Sequence, residues 1–165
     1  GDVYKRQIQK GAQKMKIWEE KAEIQLPEGF EEATVGEKRK TYGMGKKLPD
    51  KMYIVRDKHV IISTFSQELK EQNESNIELV KTLNYLYTRT VPGYKNIGTY
   101  RKNIDGQEIY VIQYTSYAQE DDIYTIVAIW RTEEKIHLLS GVCRYEEIPQ
   151  WHPVFRSVIE GIKIG

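Results

Sequence analysis

Between Ile97 and Arg144 four β-strands can be read almost without interruption, and the rest of the chain must supply whatever covers them. Ile97–Ile104 runs into Asp105-Gly106, a strong hairpin signal because a type I′ turn needs positive φ at both central residues. Glu108–Tyr117 then alternates and is rich in β-branched and aromatic side chains. Gln119–Asp122 turns the chain into Ile123–Arg131, and Thr132–Lys135 turns it again into Ile136–Arg144. Short turns between neighbours imply an antiparallel meander.

With the register set by those turns, one face would carry Ile109, Val111, Val127, Ile129, Leu138 and Val142. The other would carry Tyr110, Ile112, Tyr114, Tyr124, Ile126, Trp130 and Leu139. Both faces are apolar enough to need a cover. The expected fold is α+β: an antiparallel sheet of about six or seven strands with two main helices packed on it as an α/β sandwich.

Two stretches supply those helices. Ser75-Asn76-Ile77-Glu78 has the form of a capping box, and Leu79, Val80, Leu83, Leu86 and Tyr87 follow as one apolar stripe that ends at Pro92-Gly93. Near the C-terminus Trp151, Val154, Phe155, Val158, Ile159 and Ile162 form a second stripe, with Pro149 or Pro153 near its first turn. Glu23–Leu26, Met52–Val55 and Val60–Phe65 read as further strands, and Trp18 reads as an edge aromatic or a cap over the core. Thr34–Lys51, where Lys38, Arg39, Lys40, Lys46, Lys47 and Lys51 face only Glu37 and Asp50, reads as a solvated loop or edge hairpin. Its Gly43-Met44-Gly45-Lys46-Lys47 run lacks the spacing and strand-to-helix context of a phosphate-binding loop.

The chain of 165 residues suits one domain with a core of its own, and the expected unit is 15–165. Residues 1–14 read as a leader or junction segment, with no apolar run typical of a secretory signal. Lys10-Gly11-Ala12 can be encoded with AAGGAG roughly eight nucleotides ahead of the Met15 codon, the layout of a translated ribosome-binding site. That layout points to a native start at Met15 and a cytoplasmic bacterial protein; the alternative is a helix cut from a longer chain.

A net charge of +1 leaves no global footprint for nucleic acid or an anionic membrane, and no apolar run approaches the length of a membrane span. Chemistry is sparse. His59, His137 and His152 stand alone in their segments, no metal-ligand or cofactor motif occurs, and no serine has an evident base. The lone cysteine, Cys143, sits inside a strand and reads as a small buried hydrophobe. These observations make no catalytic, cofactor or metal assignment.

Twelve tyrosines are the unusual quantity, since tyrosine offers a rigid surface with a polar tip that suits protein interfaces. Tyr110, Tyr114, Tyr124 and Trp130, drawn on one sheet face, are the candidate anchors for a protein or peptide partner. The competing expectation is a ligand-binding or enzymatic domain with a pocket between helix and sheet.

Three features carry a family resemblance: the opening Ile24-Gln25-Leu26-Pro27-Glu28-Gly29-Phe30, the helix ending Val91-Pro92-Gly93-Tyr94 and the Ile104-Asp105-Gly106-Gln107 hairpin. With the closing Trp151–Val158 helix, Glu23–Ile162 resembles the PsbP-like superfamily, which includes Mog-type and bacterial DcrB-like proteins. The resemblance implies an α/β sandwich and a non-enzymatic binding role, such as an assembly factor, a small-GTPase partner or a secretion chaperone of the Eag type. It carries over no functional residue.

Overall fold

The computed structural model describes residues 11–70 and 74–165. Seven strands form the main antiparallel sheet. In chain order they are β3 (Glu31–Glu32), β4 (Lys51–Val55), β5 (Val60–Glu68), β6 (Lys95–Ile104), β7 (Gln107–Tyr117), β8 (Asp122–Arg131) and β9 (Lys135–Arg144). Their spatial order, β3-β4-β5-β9-β8-β7-β6, places β9 at the centre. A second sheet pairs β1 (Gln13–Ile17) and β10 (Lys163–Ile164) on either side of β2 (Ala22–Leu26).

The helices divide between the two faces. Helix α2 (Asn76–Thr90), capped by the reciprocal Ser75–Glu78 bonds, lays Leu79, Val80 and Leu83 on Tyr110, Ile112, Val127 and Ile129. Helix α3 (Ile148–Glu160) covers the opposite face with Phe155, Val158 and Ile159, and the small sheet joins it there through Ile17, Trp18, Ile24 and Leu26. The result is three layers around two main cores, with a small third cluster of Ala33, Met52 and Ile54. The Asp105-Gly106 turn takes positive φ at both residues, 51° and 78°, and fixes Ile104 opposite Gln107.

Three expectations need correction. Strand β7 meets β8 with Tyr110 opposite Ile129 and Tyr114 opposite Thr125, because the chain turns through Ala118–Asp121 and Tyr117 faces Asp122. That count shifts the pairing by one residue, so Tyr110 and Tyr114 share a face with Val127 and Ile129, while Tyr124 and Trp130 share the other with Ile109 and Val111. Val35–Tyr42 is a helix, α1, rather than loop or hairpin: Thr34 and Glu37 close a capping box that satisfies its orphan amides. The strand expected from Glu23 has a partner upstream of Met15, since Gln13 pairs with Leu26 and Lys14 with Gln25. Residues 1–10 of the expected leader lie outside the described residues.

Candidate functional site: a half-open tyrosine trough

Alternation along the central strand shows where the sheet is incompletely covered. Leu139, Gly141 and Cys143 of β9 are fully buried under α3 and the small sheet. Leu138, Ser140 and Val142, which point the other way, are only half-buried. On that side α2 packs over β7 and β8 with Leu138 at the edge of its cluster, and Tyr42 of α1 reaches β5 and β9, which leaves these three side chains partly open.

Tyrosines wall the gap. From α1, Tyr42 packs edge-on against Phe65 at 5.6 Å and donates to Ser63 Oγ at 2.8 Å, with Ser140 as a second hydroxyl neighbour. From α2, Tyr87 lies 5.4 Å from the Tyr114 ring and 5.8 Å from that of Tyr94, and Tyr94 and Tyr114 are 4.9 Å apart. Tyr94 is tied to the helix by donating to Asn84 Oδ1 at 2.5 Å, and Thr125 sits against the Tyr114 hydroxyl. Burial raises the phenol pKa of Tyr87, and the neighbouring Tyr114, Tyr94 and Tyr42 add to the rise. All four rings are half-buried, and Leu86, one residue before Tyr87 on α2, is 47% exposed.

Of the four residues expected to anchor a partner, only Tyr114 reaches this trough with part of its surface open. Tyr110 (9% exposed) lies beneath α2. Tyr124 (1%) and Trp130 (7%) belong to the opposite core, where Tyr124 donates to Gln113 Oε1 at 2.7 Å and Trp130 Nε1 to Gln107 Oε1 at 3.2 Å. Their ordinary satisfied burial explains them without a partner. Tyr42, Tyr87 and Tyr94 took their places unannounced, because α1 carries no apolar stripe and the convergence depends on which strands the two helices cross.

One serine does meet a base across 71 residues of chain. Ser66 Oγ lies 2.7 Å from His137 Nδ1 through the pairing of β5 with β9. The buried imidazole packs against Trp130 (4.9 Å, 23°) and Trp18 (5.8 Å), which stack on each other at 5.7 Å, and its Nε2 finds no partner among the described residues. Burial first, then the charge of Lys21, brings the His137 pKa down to about 4. The geometry of a nucleophile and base is present, yet among the described residues no carboxylate orients the second ring nitrogen. The Ser66 amide, a natural oxyanion donor, is donated to Asp50 Oδ2 at 2.8 Å. The pair works as a structural bond between two central strands. No group of three metal-ligating side chains occurs among the described residues, and no helix there is long and apolar enough to cross a membrane.

Three layers with this strand order define an α+β sandwich of the PsbP type. It is similar to the solution structure of cyanobacterial PsbP (CyanoP) from Synechocystis sp. PCC 6803. The TM-score is 0.71 over 94% of this chain and 93% of that one, at 11% identity. LpqN, involved in cell envelope biogenesis of Mycobacterium tuberculosis, matches with a TM-score of 0.58 at 10% identity, over 87% of this chain and 82% of that one. PA94 of Pseudomonas aeruginosa, a protein of unknown function, matches with 0.52 at 11%, over 90% of this chain and 94% of that one. At such identities the likeness is one of fold alone. No protein-family model matches the sequence, and no curated protein does.

Proposed function

We propose that this protein is a non-enzymatic binding module that holds an apolar segment of a protein partner in the trough between α1 and α2. The observation that carries this reading is the half-open face of the central strand β9, floored by Leu138 and Val142 and walled by Tyr42, Tyr87 and Tyr94. A central strand of a seven-stranded sheet is the last place where apolar surface stays uncovered at no benefit. Tyrosines lose little conformational entropy on binding and bring hydroxyls to the rim, which suits adaptable recognition of a peptide or amphipathic helix. A cytoplasmic setting, with secretion cargo as one class of client, belongs to the same proposal.

The hydroxyls of Ser63, Ser140 and Thr125 favour a second reading, a neutral polar small molecule held over the same strands. A photoreactive amino acid at Leu86 separates the two. A discrete protein adduct from position 86, and none from Tyr145 beside α3, supports the first reading; adducts from both positions, or from neither, contradict it.

A further inference from the structure

The basic segment left unexplained by the trough forms a site of its own. Arg39 and Lys40 in the last turn of α1, then Lys46 and Lys47, are all exposed, and among the described residues Arg39, Lys40 and Lys46 have no acidic partner. The nearby carboxylates are engaged elsewhere: Glu37 is held by Arg56 at 2.6 Å, and Asp50 accepts from the Ser66 amide. Lys47 donates to the Ser66 carbonyl and Lys38 to that of Asp50, which fastens the segment to the sheet at both ends. Gly43 and Gly45 take positive φ, 90° and 77°, with open space where a Cβ would stand. Their turn borders an open depression of about 350 Å³ lined by Arg39, Met44, Lys46 and Leu48. At its rim Met44 is 82% exposed.

We infer that this segment docks the protein on an anionic phospholipid surface, with a headgroup phosphate in the Arg39–Lys46 depression and Met44 inserted among the acyl chains. Guanidinium and ammonium groups over one small depression match phosphate in charge and hydrogen-bonding geometry. A free phosphate would leave an unbranched apolar side chain in water for no gain, whereas a bilayer interface takes it in. A nucleic acid would call for stacking rings, and none lines the depression, since Tyr42 is turned to Phe65 and Ser63. The charge is local, so the near-neutral chain would touch the surface with this end only.

Co-sedimentation with vesicles of phosphatidylcholine alone and of phosphatidylcholine with one-quarter phosphatidylglycerol tests the inference. The expected result is binding to the anionic vesicles only, weakened by salt. It should fall about tenfold or more in Arg39→Glu/Lys46→Glu, from roughly one kcal/mol of surface attraction per cation lost, and severalfold in Met44→Ser. Lys95→Glu/Lys163→Glu, with the same change in charge far from the depression, should bind within about twofold of the wild type. Should the double reversal fail to fold, Met44→Trp decides: its emission must shift to the blue on anionic vesicles. Failure to bind anionic vesicles overturns the inference. So does an equal loss in the Lys95/Lys163 pair, an unaffected Met44→Ser whose binding inorganic phosphate abolishes, or tighter binding to a polyuridine 20-mer than to vesicles.

Discussion

The Phe155 ring fills the space that a side chain at residue 141 would need: a Cβ built on Gly141 would lie 2.7 Å from two of the ring's carbons. The last helix thereby seats directly on the central strand, beside Cys143 and Leu139. Gly141→Ala must push that ring off its position and should cost about 1–3 kcal/mol. Phe155→Ala leaves a cavity and should cost about 3–5 kcal/mol. Urea midpoints check both, and a loss below about 1 kcal/mol for Phe155→Ala would show that the ring is not the anchor.

His137 makes stability depend on pH in a definite direction. Its folded pKa, about 4, lies below the unfolded value of about 6.5, so unfolding takes up a proton once the pH drops under 6.5. Stability should therefore decline as pH falls from about 6.5 to about 4, by at most about 1.4 kcal/mol per pH unit from this group, and level off below. Lys21 and Lys135 oppose the imidazolium, while Glu19 and Asp50 favour it. Urea midpoints for the wild type and His137→Asn between pH 7.5 and 5.5 isolate the effect: the wild type slopes more steeply than the variant, which keeps the part due to His152, whose pKa burial and Arg156 also lower. Parallel curves would assign the slope to other groups.

Cys143 should be chemically silent. Burial raises its pKa to about 12, with Glu147 adding to the rise, so almost no thiolate exists at neutral pH. Reaction with a thiol-disulfide reagent should follow the unfolding rate and accelerate with urea; labelling within seconds in native buffer would contradict that.

The β1–β2 turn should be improvable. Trp18, Glu19 and Glu20 all take positive φ, between 56° and 65°, to bring the Trp18 indole against His137 and its Nε1 to the Leu138 carbonyl at 2.9 Å. Glu19 also holds Lys135 at 2.6 Å, so Glu20 is the residue to change. Glu20→Gly relieves a left-handed residue and should gain up to about 1 kcal/mol, read as a higher Tm. A lower Tm would mean that the turn is unstrained.

Local chemistry made most elements legible before any fold was known. Positive φ at Asp105-Gly106, the Ser75–Glu78 box and the Phe155–Val158 stripe each act within a few residues, and each element formed where they indicated. The Thr34–Glu37 box was equally readable. It stands without a second signal because α1 has no apolar stripe, and its residues from Val35 to Thr41 are exposed or half-buried. Face assignment failed for a different reason: parity between β7 and β8 depends on the number of residues in one loop, and a miscount of one moves Tyr110 and Tyr114 to the other side. The trough and the Ser66–His137 bond need β5 beside β9, a pairing across the whole meander that no local signal announces.

The most direct measurement is calorimetric. A peptide selected from a displayed random library against the wild type is titrated into the wild type and into Leu86→Asp/Tyr94→Ala. The exposed Leu86 of α2 and the wall residue Tyr94 are altered there, while the buried Tyr110, Tyr124 and Trp130 stay untouched. A trough that holds the partner predicts a loss of affinity of about thirtyfold or more, as for central anchor residues of an interface. An affinity within about twofold of the wild type, in a variant that keeps its Tm, would place the binding surface elsewhere and contradict the account.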